Sequence, residues 1–194
     1  GRGIQSAFYR IVATKRFQEP LYGETGHQLR RELEQWHRRG DTAAIDAVWP
    51  HLNHNDQFVR YAARVTLEHQ PVDIYLKHIQ GEKRPVARIE ALLAVARCGG
   101  PEHQPLLVGA LTELPWELLD VDARLAIVRV ASLSVIRQGP PSRAPRRRLL
   151  AFFEPRFPTY NPLVDRHLCE LLVALRSPEV VSRGMNLLRR MDDP

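Results

Sequence analysis

Only two cysteines occur in 194 residues, Cys98 and Cys169, each inside an apolar helical pattern (AVARCGG and HLCELLV). So few, and so far apart, argue against a disulfide framework and favour buried free thiols. There is no CxxC pair and no CxxCH site for haem attachment. No apolar run approaches the roughly 18 to 20 residues that cross a bilayer, and the first residues lack the blocks of a signal peptide, so no membrane insertion is expected. GxSxG, P-loop and Rossmann fingerprints are also missing, and GETG reads as a turn. Aromatics make up only 7% of the chain, and three lysines stand against 25 arginines. The first residue is Gly1 rather than Met, and the expectation is a piece of a longer polypeptide.

What is present is ordinary globular material, 44% hydrophobic and 26% charged, enough for one continuous core. The formal charge of +6 allows nucleic acid, an anionic surface or an acidic partner protein. Many of the arginines, however, fall at one position of a recurring helical pattern, where a structural role is simpler.

Residues 4–13 (IQSAFYRIVA) lack a 3.6-residue period and read as a short strand, the tail of a preceding β domain, because a lone strand cannot stabilise itself. Residues 15–26, with Pro20, Gly23 and Gly26, read as a linker. From His27 the pattern is helical: Leu29, Leu33 and Trp36 recur at helical spacing, Gly40 stops the helix, and Asp41 caps a second helix whose apolar face is Ala44, Ile45, Val48, Trp49 and Leu52. In the next pair, Asp56 caps QFVRYAARVTLEHQ and Pro71 opens a helix carrying Ile74, Tyr75 and Ile79.

The first helix of that pair has the order Val59, Arg60, Ala63, Leu67, which returns as Val86, Arg88, Ala91, Val95, the last three displaced by 28 residues and the first by 27. It persists more weakly at Arg124, Ile127, Ala131 and at Arg166, Cys169, Val173. A small residue at mid-helix allows close approach of a neighbour, and an Arg at the helix start can reach carboxylates or carbonyls of the adjoining turn. Repeated pairs at roughly 30 to 45 residues predict an all-α chain, an α-solenoid (α-α superhelix) of about five HEAT-like helical hairpins behind a short N-terminal strand or extended segment. The domain boundaries are 1–26 for tail plus linker and 27–194 for the repeats.

The blocks VRYAARVTLE, ARIEALLAVAR and DRHLCELLVAL resemble HEAT-type repeats of the phycobilisome-lyase HEAT-like class over about residues 27–191. QSAFYRIV, FVRYAARVTLEHQP and NPLVDRHLCELLVALRSPEVV, in that order, are similar to the helical region of large secreted bacterial proteins. In that group a sorbosone-dehydrogenase-like β-propeller precedes the repeats and a c-type haem domain commonly follows. The resemblance implies the fold, a periplasmic or secreted location, and a redox role confined to domains outside these residues.

Candidate chemistry is sparse. His51 and His54 offer H-x2-H at a turn, without a companion carboxylate or cysteine signature, and surface or capping histidines are preferred over a metal site. His69, His37 and His103 have no closer company. Glu32 with Glu34, and Asp120 with Asp122, are two apart and do not share a helix face, so they do not make a general acid/base pair; Asp41, Asp56 and Asp120 are read as caps. Arg146, Arg147 and Arg148 with Arg143, and Arg189 with Arg190, form the best candidate basic patch. Phe58, Trp49, Phe152 and Phe153 read as core-directed, as does Trp36, whereas Trp116, in a loop after Pro115, is kept as a surface anchor.

The expected function is a non-enzymatic scaffold or protein-protein interaction module of a multidomain protein, with no catalytic residue, metal or cofactor. Its partner is a protein, either neighbouring domains or another chain. The alternative is a HEAT-like DNA-binding or DNA-repair module using a basic concave face; a lyase-like helper for chromophore proteins rests on repeat class alone.

Overall fold

A computed structural model describes residues 24–192 of the chain. Among these residues the protein is all-helical, with ten α-helices and no strand. In chain order they are α1 (Glu24–Glu34), α2 (Ala43–Val48), α3 (Gln57–Glu68), α4 (Val72–Gly81), α5 (Pro85–Cys98), α6 (Gln104–Leu111), α7 (Val121–Gln138), α8 (Arg143–Phe153), α9 (Pro162–Ala174) and α10 (Val180–Asp192). The expected strand at 4–13 lies outside the described residues. Residues 24–26, read as the end of a linker, belong instead to α1.

Local chemistry sets the helix starts. Asp56 accepts from the Phe58 amide at 2.8 Å, Asp120 from the Ala123 amide at 2.8 Å, and Asn161 from the amides of Leu163 and Val164. Each satisfies amides that have no partner within the first helical turn. Asp41 accepts from the Ala43 amide at 3.1 Å. Pro85 and Pro162 open α5 and α9, where a missing N–H costs nothing. Gly139 closes α7 at φ 90°, a conformation disfavoured for residues with a Cβ.

The odd-numbered helices pack against one another in chain order: α1 on α3, α3 on α5, α5 on α7, α7 on α9. The even-numbered helices form a second layer, in which α6 meets α8, and α2, α4, α6 and α8 each touch the odd helix that follows. The core runs between the layers. Its centre is α5, where all six residues from Ala91 to Ala96 are buried. A helix apolar on every side must be enclosed, and α5 is flanked by α3, α7, α4, α6 and the 3-10 turn Trp49–Asn53.

Candidate functional site: one arginine-rich edge and one apolar end

The repeated arginine has a defined geometric place, four residues after the helix cap. The amides of Arg60, Arg88, Arg124, Arg146 and Arg183 each donate to the carbonyl of the residue four before, at Asp56, Arg84, Asp120, Ser142 and Glu179. From that place the side chain turns back over the preceding loop or across to a neighbouring one. Arg60 Nη1 donates to the carbonyls of His54 at 2.7 Å and Asn55 at 3.0 Å. Arg124 reaches the carbonyls of Trp116 (3.1 Å) and Glu117 (3.3 Å), and Arg183 those of Glu154 (2.6 Å) and Phe157 (3.1 Å). Arg88 meets the Glu113 carboxylate at 2.6 Å instead. Guanidinium donors thus reach turn carbonyls outside the α-helical ladders, those of Trp116 and Glu154 also accepting the amides of Leu119 and Phe157.

The small and apolar partners follow the same register. Ala63, Ala91 and Ile127 lie seven residues after the cap and are fully buried, as are Leu67, Val95 and Ala131 four residues further on. In α9 the arginine position holds Asp165, which accepts from the amide and hydroxyl of Thr159 at 2.6 and 2.8 Å. The buried residues there are Leu168 and Leu172. Assignment of Arg166, Cys169 and Val173 to this repeat is therefore one residue late: the Arg166 side chain is 75% exposed and, among the described residues, pairs only with Glu170, and Val173 is exposed.

The candidate basic patch divides in two. Arg146 donates to the carbonyls of Leu175 (2.7 Å) and Arg176 (3.1 Å), and Arg148 to Thr112 Oγ1 (2.7 Å) and the Gly109 carbonyl (3.2 Å), so both join elements. Arg143 and Arg147 are exposed and make no hydrogen bond or ion pair with the described residues. Trp116 is not a surface anchor. It is 3% exposed, and the 3-10 turn Trp116–Leu118 folds the indole inward, edge-to-face against Phe152 and Phe153 with centroids 6.0 Å apart. Leu118 faces solvent in its stead. Phe58, read as core, is exposed, as is Cys98, while Cys169 is half-buried; both thiols are free.

The turns within each pair share one edge of the molecule. The buried side chain of Gln70, after α3, accepts from the Asp41 amide and donates to the Arg38 carbonyl; Gln138, ending α7, donates to the carbonyls of Val95 and Gly99; Gln104 reaches Gly139. Along this edge lie Arg38, Arg39, Arg97, Arg137, Arg143, Arg147 and Arg176, all exposed. Of these only Arg97 has a side-chain ion pair among the described residues, at 2.9 Å to Glu68. Two recesses open here: one of about 650 Å³ bordered by Arg39, Glu68, His69, Arg97, Cys98 and Arg137, and one of about 430 Å³ bordered by Arg143, Arg146 and Arg147. The Cys98 thiol is pushed up by burial and by Glu68, against the pull of Arg97 and Arg137. A low-pKa nucleophile needs the reverse balance.

Exposed apolar side chains gather elsewhere, on the last pair. Val181, Met185 and Leu188 form a stripe along α10, and a groove of about 510 Å³ between α9 and α10 is lined by Phe157, Tyr160, Pro162, Cys169, Leu187 and Leu188. At the H-x2-H turn, His54 Nδ1 accepts from the Asp56 amide at 3.0 Å, and burial with the neighbouring His54 holds His51 below the usual histidine value. Among the described residues no three His, Cys, Asp or Glu side chains converge as metal ligands.

No family model matches this chain, and no curated protein or solved structure matches it. No helix among the described residues is long and apolar enough to cross a membrane.

Proposed function

We propose that the chain is an α-solenoid of five HEAT-like helical pairs, serving as a non-enzymatic scaffold and protein-protein interaction module within a larger protein. The observation that supports it is serial packing of the odd helices in chain order, with an arginine four residues after the cap in α3, α5 and α7 clasping the turn before it or the neighbouring turn. Such an arrangement extends one core by adding pairs and offers long edges rather than a convergent polar pocket. The resemblance to the HEAT-like region of propeller-containing secreted proteins belongs to the same proposal.

A second reading, a DNA-binding module, is favoured by one observation, the row of exposed arginines of which all but Arg97 lack an ion-pair partner among the described residues. A photo-crosslinking side chain placed at Arg143, and in a separate variant at Met185, separates the two in material from the native source. Adducts with one defined polypeptide, or with flanking domains of the same chain, are the expected result. Nuclease-sensitive adducts at Arg143 would move the conclusion to the second reading, and a protein that elutes alone without adducts at either site would end the scaffold proposal.

A further inference from the structure

We infer that the arginine edge docks an extended acidic polypeptide segment, its carboxylates spaced about three residues apart. This rests on the scaffold reading and supplies its partner chemistry.

Position carries the first step. The edge is built from turns after α1, α3, α5, α7 and α9, brought together by the glutamine and Arg146 bonds to turn carbonyls. Arginines at the ends of α5 and α7, Arg97 and Arg137, also complement the negative ends of their own helices, which explains them without a ligand. Arg143 and Arg147 have no such explanation. Arg143 occupies the first turn of α8, where the helix field disfavours a cation and Ser142 leaves the cap unsatisfied by its side chain, and Arg147 stands one turn further on along the same face. Two exposed guanidinium groups side by side, one of them against that field, fit a surface whose counter-charge is brought by a partner.

Spacing carries the second step. Packed helices lie about 8 to 10 Å apart, and an extended chain advances about 3.3 Å per residue, so an acidic residue at every third position keeps step with successive turns. Guanidinium groups recognise carboxylates bidentately, and nearly all the basic residues here are arginine rather than lysine.

Charge of the other sign decides between polyanions. Asp73 and Glu102, with side chains 84% and 69% exposed, stand on the same edge around His103. A continuous phosphate backbone lying along the edge meets these carboxylates, whereas a polypeptide with discrete acids passes them with neutral residues. The observations therefore favour polypeptide over duplex.

The test uses the full chain and three fluorescein-labelled probes read by anisotropy at 50 and 150 mM salt. The first is a 15-residue peptide with glutamate at every third position among serine and glycine; the second has the same composition with the glutamates contiguous; the third is a 20-base-pair duplex. The expected result is salt-sensitive binding of the spaced peptide, a loss of tenfold or more in Arg39→Glu/Arg137→Glu/Arg147→Glu, and a change under threefold in the charge-matched Arg31→Glu/Arg129→Glu/Arg166→Glu, with both variants melting like the parent. No binding of the spaced peptide overturns the inference, as does equal loss in the two variants or equal affinity for the contiguous peptide. Tighter edge-dependent binding of the duplex overturns it in favour of nucleic acid. A polypeptide adduct at Met185 together with no peptide binding at the edge would remove this inference and leave the scaffold reading standing.

Discussion

Glu82 shows how much one side chain can hold at a junction. Its carboxylate accepts from the Trp49 indole at 2.8 Å and from the Arg84 guanidinium at 2.7 and 3.0 Å, and Arg84 continues to the carbonyls of Trp49 and Pro50. The Arg84 hydrogen bonds outweigh desolvation and hold Glu82 down to about 2. A depressed carboxylate stabilises the fold above its unfolded value, near 4.5, and that contribution drains away as pH falls towards 2. Thermal melts from pH 5 to pH 2 should therefore show a steeper loss in the parent than in Glu82→Gln, which should already be about 2 kcal/mol less stable at pH 6. Parallel pH profiles would show that the junction does not depend on this charge. At the same scale the sequence misleads about Trp116 and Phe58. Neighbouring residues in the chain reveal a tryptophan's bulk but not whether a short 3-10 turn will aim it at two phenylalanines.

At the scale of the helix, the arginine four residues after the cap distinguishes clasps from surface charge. Arg124→Ala strips the carbonyls of Trp116 and Glu117 of a charged donor and should cost about 1 to 2 kcal/mol in urea unfolding. Arg166→Ala, at an exposed i,i+4 pair, should stay within about 0.5 kcal/mol. Equal effects would dissolve the distinction. The close-packing positions give a complementary expectation: Ala63→Leu or Ala91→Leu, each fully buried, should overpack the interface between odd helices and lower stability by about 1 to 3 kcal/mol. The helical pairs, the caps Asp56 and Asp120 and the order Arg60, Ala63, Leu67 were legible because caps and spacing are local properties. The register of α9 was not, since counting from an arginine fails where Asp165 replaces it; counting from Asn161 would have placed Leu168 and Leu172 correctly. The arginine edge was illegible for another reason. Arg39, Arg97 and Arg137 are far apart in sequence and meet only after helix ends are brought together.

Across the whole molecule, contacts run mainly between helices two apart in the chain, and so between neighbouring pairs, and a local loss of packing should be felt according to place. Leu92→Ala, in the enclosed middle of α5, should accelerate amide hydrogen exchange throughout the chain. Leu172→Ala, in α9 near the end of the packing series, should accelerate exchange chiefly in α9 and α10. Uniform acceleration by both would indicate a single cooperative unit in place of a graded stack. The near-absence of lysine gives the molecule an unusual chemical footprint as well. Reagents that acylate amines find three side chains at most and should leave its fold intact. Dicarbonyl compounds that condense with guanidines should instead act in two phases: rapid adducts at Arg39, Arg137, Arg143 and Arg147 in a still-native protein, then collapse of the structure once the clasping arginines are consumed.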